Sequence, residues 1–280
     1  MKCPLCASDT IRAFKTHGFW ICDCTVCRHR FTEIAADSQH AQIIYNDDYF
    51  SGGTSAGYHD YLGDERLLRE RGKRYGKMLQ KYAPAGKILD VGAAAGFVLQ
   101  GFAETGWRAA GVEPNPKMAR FARENLNLPV ATSTLENFAG DEEFDLITMI
   151  QVVAHFFDVR GAFENARRLL AENGLLLIET WNRASLMERV FGSKWHEYSP
   201  PSVLHFFTPQ TLNNFAARFG FEKVAAGRPA KWINGAHAKS LLRYKFENTA
   251  LENFIRLIPD RFDFPYPAED LFWVLYRKSG

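Results

Sequence analysis

Beyond residue 27 this 280-residue chain contains no cysteine. That excludes a disulfide framework spread through the fold and confines thiol chemistry to the N-terminal end. No apolar run reaches the roughly 18 residues that a membrane-spanning helix needs, so no such helix is expected. The opening Met1-Lys2-Cys3-Pro4 lacks the apolar segment of an export signal, which makes a cytoplasmic location the expectation. Charge of one sign is lacking too: 34 Lys and Arg face 32 Asp and Glu, a net of +2. A chain so balanced carries nothing that demands a polyanion, and nucleic acid is not an expected partner.

Hydrophobic residues make up 46% of the chain, the share of an ordinary globular core, and aromatic residues 14%, a high share. All five cysteines fall at the start. Cys3 and Cys6 form one Cys-x-x-Cys pair, Cys24 and Cys27 another, and 17 residues lie between them. This is zinc-ribbon spacing: two knuckles offer four thiolates, which close a tetrahedral site with no position open for catalysis, so a structural Zn2+ is expected. Cys22 and His29 are second choices as ligands. Residues 1–34 therefore read as a zinc-binding module, with a hairpin-like stretch from Ile11 to Ile21 and too little apolar mass to fold without its ion.

Residues 35–83 read as a linker and an N-terminal helical or lid region. Its mixture of Tyr45, Tyr49, Phe50, Gly52, Gly53, Tyr58 and Tyr61 suits a segment that drapes over a ligand or crosses the surface. A basic amphipathic helix is predicted from Asp64 to Tyr82, with Leu67, Leu68, Tyr75, Met78 and Leu79 as its buried stripe and Pro84 and Gly86 beyond its end. Residues 84–280 alternate strands and helices, the pattern of a parallel sheet covered on both faces. The predicted strands are Lys87 to Val91, Trp107 to Glu113, Pro129 to Ala131, Phe144 to Ile150, Leu175 to Thr180, Phe221 to Ala226 and Leu271 to Arg277. Helices are predicted at Phe97 to Thr105, Pro116 to Asn125, Val159 to Leu170 and Pro209 to Phe219, the last with Thr208 as its cap.

Two stretches interrupt the alternation, at about 181–207 and 228–270. Each follows the carboxyl end of a strand, where open α/β sheets receive ligands, so they are expected to serve the second substrate. The first holds Trp181, Phe191, Trp195, His196, Glu197, Tyr198, His205, Phe206 and Phe207. The second holds Trp232, His237, Tyr244 and an aromatic cluster from Phe262 to Tyr266.

The most telling stretch is Ile88-Leu89-Asp90-Val91-Gly92-Ala93-Ala94-Ala95-Gly96, an apolar run that ends in an acid and a small-residue loop. Small side chains let a backbone approach a nucleotide-like ligand, and Glu113, at the end of the next strand, can accept both hydroxyls of a ribose. The spelling Asp-x-Gly-x-x-x-Gly resembles the first motif of class I S-adenosylmethionine-dependent methyltransferases, a resemblance that extends over nearly everything after residue 45. That family usually has glycine where Ala94 stands, and alanine disfavours positive φ, so a rebuilt loop or a displaced cofactor is expected.

The resemblance implies a doubly wound, seven-stranded, mostly parallel sheet of Rossmann-like methyltransferase fold, with S-adenosylmethionine as cofactor. By position, Asp90 approaches the methionine amino group, Gly92, Ala94 and Gly96 shape the loop, and Glu113 holds the ribose. Pro114 turns the chain, and Met118 flanks adenine. Ser133, Thr134, Leu135 and Glu136 fall where the family clasps adenine, and Gln151 faces the methionine part. The stretch from Phe144 to His155 resembles the fourth motif, with Ala154 in place of a glutamate common there.

Methyl transfer from a sulfonium needs mainly an aligned acceptor and exclusion of water, and a base only where the acceptor must lose a proton. Candidate bases are His205, His155, His196 and Tyr198. The expected activity is methyl transfer to a small molecule or sugar-containing acceptor, with oxygen favoured over nitrogen or carbon. RNA base methylation is the runner-up, since some such enzymes also begin with a Cys-Pro-Leu-Cys knuckle. A catalytically inactive S-adenosylmethionine-binding protein is a third reading, motivated by Ala94 and Ala154.

Overall fold

The computed structural model describes residues 1–50, 61–234, 239, 263–266 and 269–280. Met1–Arg228 and Glu269–Gly280 make one compact unit, and Pro229–Ala268 a second.

Strands Thr10–Thr16 (β1) and Phe19–Cys24 (β2) form an antiparallel hairpin, to which Arg30–Thr32 (β3) adds a third strand. The hairpin turn is His17-Gly18, both at positive φ, the conformation whose twist matches its flanking strands. Ser38–Ile44 (α1) is capped by the Asp37 carboxylate, which accepts from the N–H groups of Gln39 and His40. The four-residue helix Asp47–Phe50 (α2) follows.

Glu65–Leu79 (α3) is the predicted basic helix, and it lies close against Phe97–Ala103 (α4). Glycine permits that approach: a Cβ on Gly72 would run into the Val98 carbonyl, and one on Gly101 into the Arg69 carbonyl. Lys87–Val91 (β4) leads into α4. Then come Arg108–Glu113 (β5), Pro116–Asn125 (α5), Val130–Thr132 (β6), Phe144–Ile150 (β7), Val159–Leu169 (α6) and Leu170–Trp181 (β8). The first insertion contributes Leu186–Phe191 (α7) and the two-residue strand His205–Phe206 (β9). Pro209–Ala217 (α8) starts on a reciprocal capping box between Thr208 and Thr211. Phe221–Gly227 (β10) and Leu271–Lys278 (β13) complete the main sheet. In the second unit, Lys231–Asn234 (β11) pairs antiparallel with Asp263–Tyr266 (β12), and Trp232 is exposed. His237, Tyr244 and Phe262 lie outside the described residues.

The seven-stranded sheet runs β10-β13-β8-β7-β4-β5-β6. Neighbours from β8 to β6 are parallel, while β13 is antiparallel to both β8 and β10. The fold is therefore α/β with a mostly parallel sheet, as the alternation of strands and helices predicts, and the sheet has the seven strands that the resemblance implies. Chain direction across the sheet reverses between β4 and β7, and in such sheets a crevice opens at that point beyond the strand ends.

A second sheet, β1-β2-β3-β9, joins the N-terminal hairpin to the first insertion: Arg30 pairs with Phe206 and Phe31 with His205. Cys3, Leu5 and Cys24 belong to the same buried cluster as Phe163 of α6 and Phe215 of α8. Arg160 and Arg218 both donate to the Leu5 carbonyl, at 3.2 and 3.1 Å.

Candidate active site

A cavity opens where β4, β5, β6 and β7 end. Its floor is the loop from Asp90 to Ala94, its sides include Glu113, Thr134, Glu136 and Gln151, and its roof is Tyr45, Tyr49, Phe50 and Tyr61. The floor is shaped by three left-handed residues: Gly92 at φ +68°, Ala94 at +47° and Gly96 at +87°. A Cβ on Gly92 would sit 2.7 Å from Val152 Cγ2, so at this positive φ any other residue is strained and must displace the Val152 side chain. The loop expected to be rebuilt around Ala94 instead keeps positive φ at that residue.

Glu113 explains how. Its Oε2 accepts the Ala94 backbone N–H at 2.9 Å, and its Oε1 accepts that of Asn115 at 2.8 Å. Burial pushes the carboxyl up to about 7 against these two N–H groups, and nearby Asp90 adds to the push. Asp90 is also buried, and its Oδ1 accepts from Thr148 Oγ1 at 2.6 Å. Burial raises it to about 7, with Thr148 and Arg71 working the other way. Glu136 too is raised to about 7 by burial, opposed by N–H groups of its own and neighbouring backbone and by the Thr134 hydroxyl.

Among the described residues, Arg71 is the cation on the cavity wall. It pairs with Glu179 of β8, which also accepts from the Tyr75 hydroxyl. Gln151 stands at the β7 tip with φ +59°, its N–H bonded to the Glu179 carbonyl at 2.8 Å. Its side-chain Nε2 is buried with no hydrogen-bond partner among the described residues. A buried donor in that state is stabilised by a ligand that accepts from it.

Among the four candidate bases, His155 alone lines the cavity. Its Nδ1 donates to the Ser202 carbonyl at 2.7 Å, so in the neutral ring the lone pair lies on Nε2, the nitrogen that takes up a proton. Burial lowers its pKa, with the Ser202 and Gln151 carbonyls opposing, so the ring is neutral near pH 7. His205 lies behind the wall, with both ring nitrogens engaged: 3.0 Å to the Phe156 carbonyl and 3.2 Å to His29 Nε2. Burial brings it down to about 4. Tyr198 lies elsewhere, its hydroxyl donating to Glu188 and accepting from Arg30, both at 2.7 Å. His196 sits beside Glu197 at 3.1 Å, away from the cavity.

Of the positions assigned by resemblance to the cofactor, Asp90, Gly92, Ala94, Glu113, Pro114, Ser133, Thr134, Leu135 and Gln151 all line the cavity. Gly96 and Met118 do not: Gly96 caps α4, and Met118 packs below the loop with Ala94, Ala95 and Phe97. Arg71 is a wall residue that no motif singles out, one base among several on a basic helix.

The four paired cysteines converge, all Sγ atoms within 4.8 Å of one another, with Cys3 and Cys27 at 3.6 Å and Cys6 and Cys24 at 3.4 Å. A tetrahedron with metal–sulfur bonds of about 2.3 Å has edges of about 3.8 Å, so the donor set fits zinc with small adjustment. Burial pushes the Cys3 thiol well up and that of Cys27 to about 11. Burial acts likewise on Cys6, but hydrogen bonds from Ser8 and Cys24 bring it to about 6. Cys22 and His29 stand outside the cluster.

A parallel sheet with an acid-anchored, glycine-containing loop, a second acid at the adjoining strand end and a roofed crevice is the architecture of an S-adenosylmethionine-dependent methyltransferase. Residues 64–226 match the family model described as a methyltransferase domain, and the chain belongs to that family. A Bartonella tribocorum protein named ubiquinone biosynthesis O-methyltransferase is 28% identical over 144 residues, covering 47% of this chain and 58% of that protein. A Glaesserella parasuis protein of the same name is 27% identical over 190 residues, 61% of this chain and 78% of that one. The chain thus spans a little over half the length of the first of these relatives.

Among solved structures, the 1,6-didemethyltoxoflavin-N1-methyltransferase of Burkholderia thailandensis, with 1,6-didemethyltoxoflavin and S-adenosylhomocysteine bound, superposes with a TM-score of 0.55. It is 16% identical and covers 96% of this chain and 99% of that one. Magnesium protoporphyrin IX methyltransferase of Synechocystis, also with S-adenosylhomocysteine, gives 0.56 at 14% identity, covering 87% and 100%. At that identity the likeness is one of fold.

Proposed function

We propose that this methyltransferase acts on a hydroxyl oxygen of a small molecule or sugar-containing acceptor, with His155 as general base. The observation that carries this reading is a neutral imidazole in the cofactor cavity with Nδ1 already committed to the Ser202 carbonyl. An amine acceptor that arrives neutral needs no such base; a hydroxyl does. The O-methyltransferase relatives support oxygen as the acceptor atom, and the aromatic roof supports an acceptor small enough to be enclosed.

When bound, S-adenosylmethionine supplies an electrophilic methyl carbon on sulfur. In the proposed arrangement Glu113 accepts from the ribose hydroxyls with the lone pairs left by Ala94 and Asn115. The Ser133–Leu135 stretch clasps the adenine, with Pro114 at the turn beside it and Met118 buttressing the loop from below. Asp90 is assigned to the methionine amino group, Arg71 and the Gln151 amide to its carboxylate. Gly92 and Gly96 let the loop backbone come close. His155 Nε2 then takes the hydroxyl proton while Tyr45, Tyr49 and Phe157 keep water out.

Cys3, Cys6, Cys24 and Cys27 are proposed to hold a structural Zn2+ that fixes residues 1–34 as a module on the methyltransferase domain of residues 84–280, with residues 35–83 as its lid. The test is a panel of phenolic, sugar and amine acceptors, read as S-adenosylhomocysteine formed and methylated product by mass spectrometry. Turnover confined to hydroxyl acceptors and lost in His155→Gln is expected. Turnover on amines, or on bulk RNA with a steep salt dependence, overturns the proposal.

A further inference from the structure

Tyr45 closes α1 at the cavity roof and is tied at two points. Its backbone carbonyl accepts from Asn115 Nδ2 at 2.9 Å, and the Asn115 backbone N–H donates in turn to Glu113 at 2.8 Å. Its hydroxyl donates to the Ser202 carbonyl at 3.0 Å, the same oxygen that receives Nδ1–H of His155 at 2.7 Å. The Tyr45 ring also stands edge-on to the His155 imidazole, centroids 5.6 Å apart at 80°.

We infer that Tyr45 is a positioning residue for His155: by sharing the Ser202 carbonyl and packing edge-on against the imidazole, it holds the ring in the Nδ1–H form with Nε2 toward the cavity. The inference rests on the reading of His155 as the base. A carbonyl oxygen has two lone pairs, so it accepts both donors at once. Having accepted a hydroxyl, it is a weaker acceptor for an imidazolium N–H and stabilises the charged ring less. Sharing thus acts in the same direction as burial and keeps the base neutral and ready.

Tyr45 itself remains a donor, since burial, Tyr49 and the carboxyls of Glu113 and Glu136 all disfavour its phenolate. Among the described residues, titratable groups that share the cavity or contact its lining include Tyr49, which packs on Tyr45, His205 of β9, Arg71 with its partner Glu179, and Glu136. Because the Tyr45 backbone is held by Asn115 beside the ribose corner, the alignment of the base depends on the lid being seated where the cofactor lies.

Nitrogen-15 NMR of the full chain, histidine-labelled and saturated with S-adenosylhomocysteine, tests this without an acceptor, His155→Gln assigning the signal. The wild-type ring is expected to be the Nδ1–H tautomer at pH 7, and Tyr45→Phe to raise its pKa by about half a unit to one unit. His40 Nε2, 3.0 Å from the Pro201 carbonyl, is another tie of the lid to this segment. His40→Ala loosens the lid without touching the Ser202 carbonyl and is expected to leave the His155 pKa within about 0.2. An Nε2–H tautomer in the wild type, no shift in Tyr45→Phe, or an equal shift in His40→Ala overturns the role given to Tyr45. Undiminished turnover in His155→Gln overturns the base instead, whatever the spectra show.

Discussion

The backbone N–H of Ala94, held at φ +47°, donates to Oε2 of Glu113 across 2.9 Å. One carboxylate therefore props the loop after β4 and, in the proposed mode, receives the ribose. Ala94 takes up positive φ despite its methyl group, and the Glu113 carboxyl on the neighbouring strand, by accepting its N–H, fixes that left-handed turn.

Ala94→Gly is accordingly expected to change little. Relief of roughly 1–2 kcal/mol of left-handed strain is offset by about 0.4–1 kcal/mol of added unfolded-state entropy. Calorimetry should find S-adenosylhomocysteine affinity within about threefold of wild type, about 0.7 kcal/mol. Tighter binding by tenfold or more would show that the methyl group obstructs the ligand.

The raised carboxyl of Glu113 makes a pH prediction with a definite sign. Between its ordinary value of 4.5 and about 7, the folded protein holds a proton that the unfolded chain has released, so this group's contribution to stability falls as pH rises through that window. His29, His155 and His205, all lowered by burial, titrate with the opposite sign in part of the same range. The clean quantity is therefore a difference: in urea titrations of ligand-free protein, Glu113→Gln should gain stability relative to wild type from pH 5 to 7 and hold that gain above. A difference independent of pH contradicts the assignment.

His155→Gln should lower kcat about 10²–10⁴-fold while leaving S-adenosylhomocysteine affinity within about threefold. Since burial lowers its pKa, the acidic limb of the wild-type pH–rate profile should lie below the ordinary histidine value of 6.5, with a plateau above it. His205→Gln, which retains a donor for the Phe156 carbonyl, should keep that profile unchanged.

Purified protein should carry one zinc per chain. Cys24→Ser should lose the metal and melt at a lower temperature, because Cys24 packs in the main core with Leu5 and Phe163. Cys22→Ser should retain the metal. Metal analysis beside thermal melting of each variant decides it.

The sheet was legible in the sequence because buried parallel strands are near-continuous apolar runs: Lys87–Val91 and Phe144–Ile150 have the boundaries predicted for them. The loop and Glu113 were legible because small residues and a lone acid at successive strand ends have few other uses. What could not be read was pairing between distant segments. His205 and Phe206 look like any short aromatic stretch until β3 lies beside them, and that pairing turns His205 away from the cavity. Arg71 was hidden for a similar reason: its position on the wall comes from the close α3–α4 packing that Gly72 and Gly101 allow.

The most direct test of the cofactor site is titration of S-adenosylhomocysteine into the zinc-loaded full chain, wild type against Glu113→Ala. One site per chain is expected, with affinity at least about tenfold weaker in the variant, the cost of losing hydrogen bonds to a charged acceptor. No binding by the wild type, or equal affinity in a variant that still melts cooperatively, contradicts it.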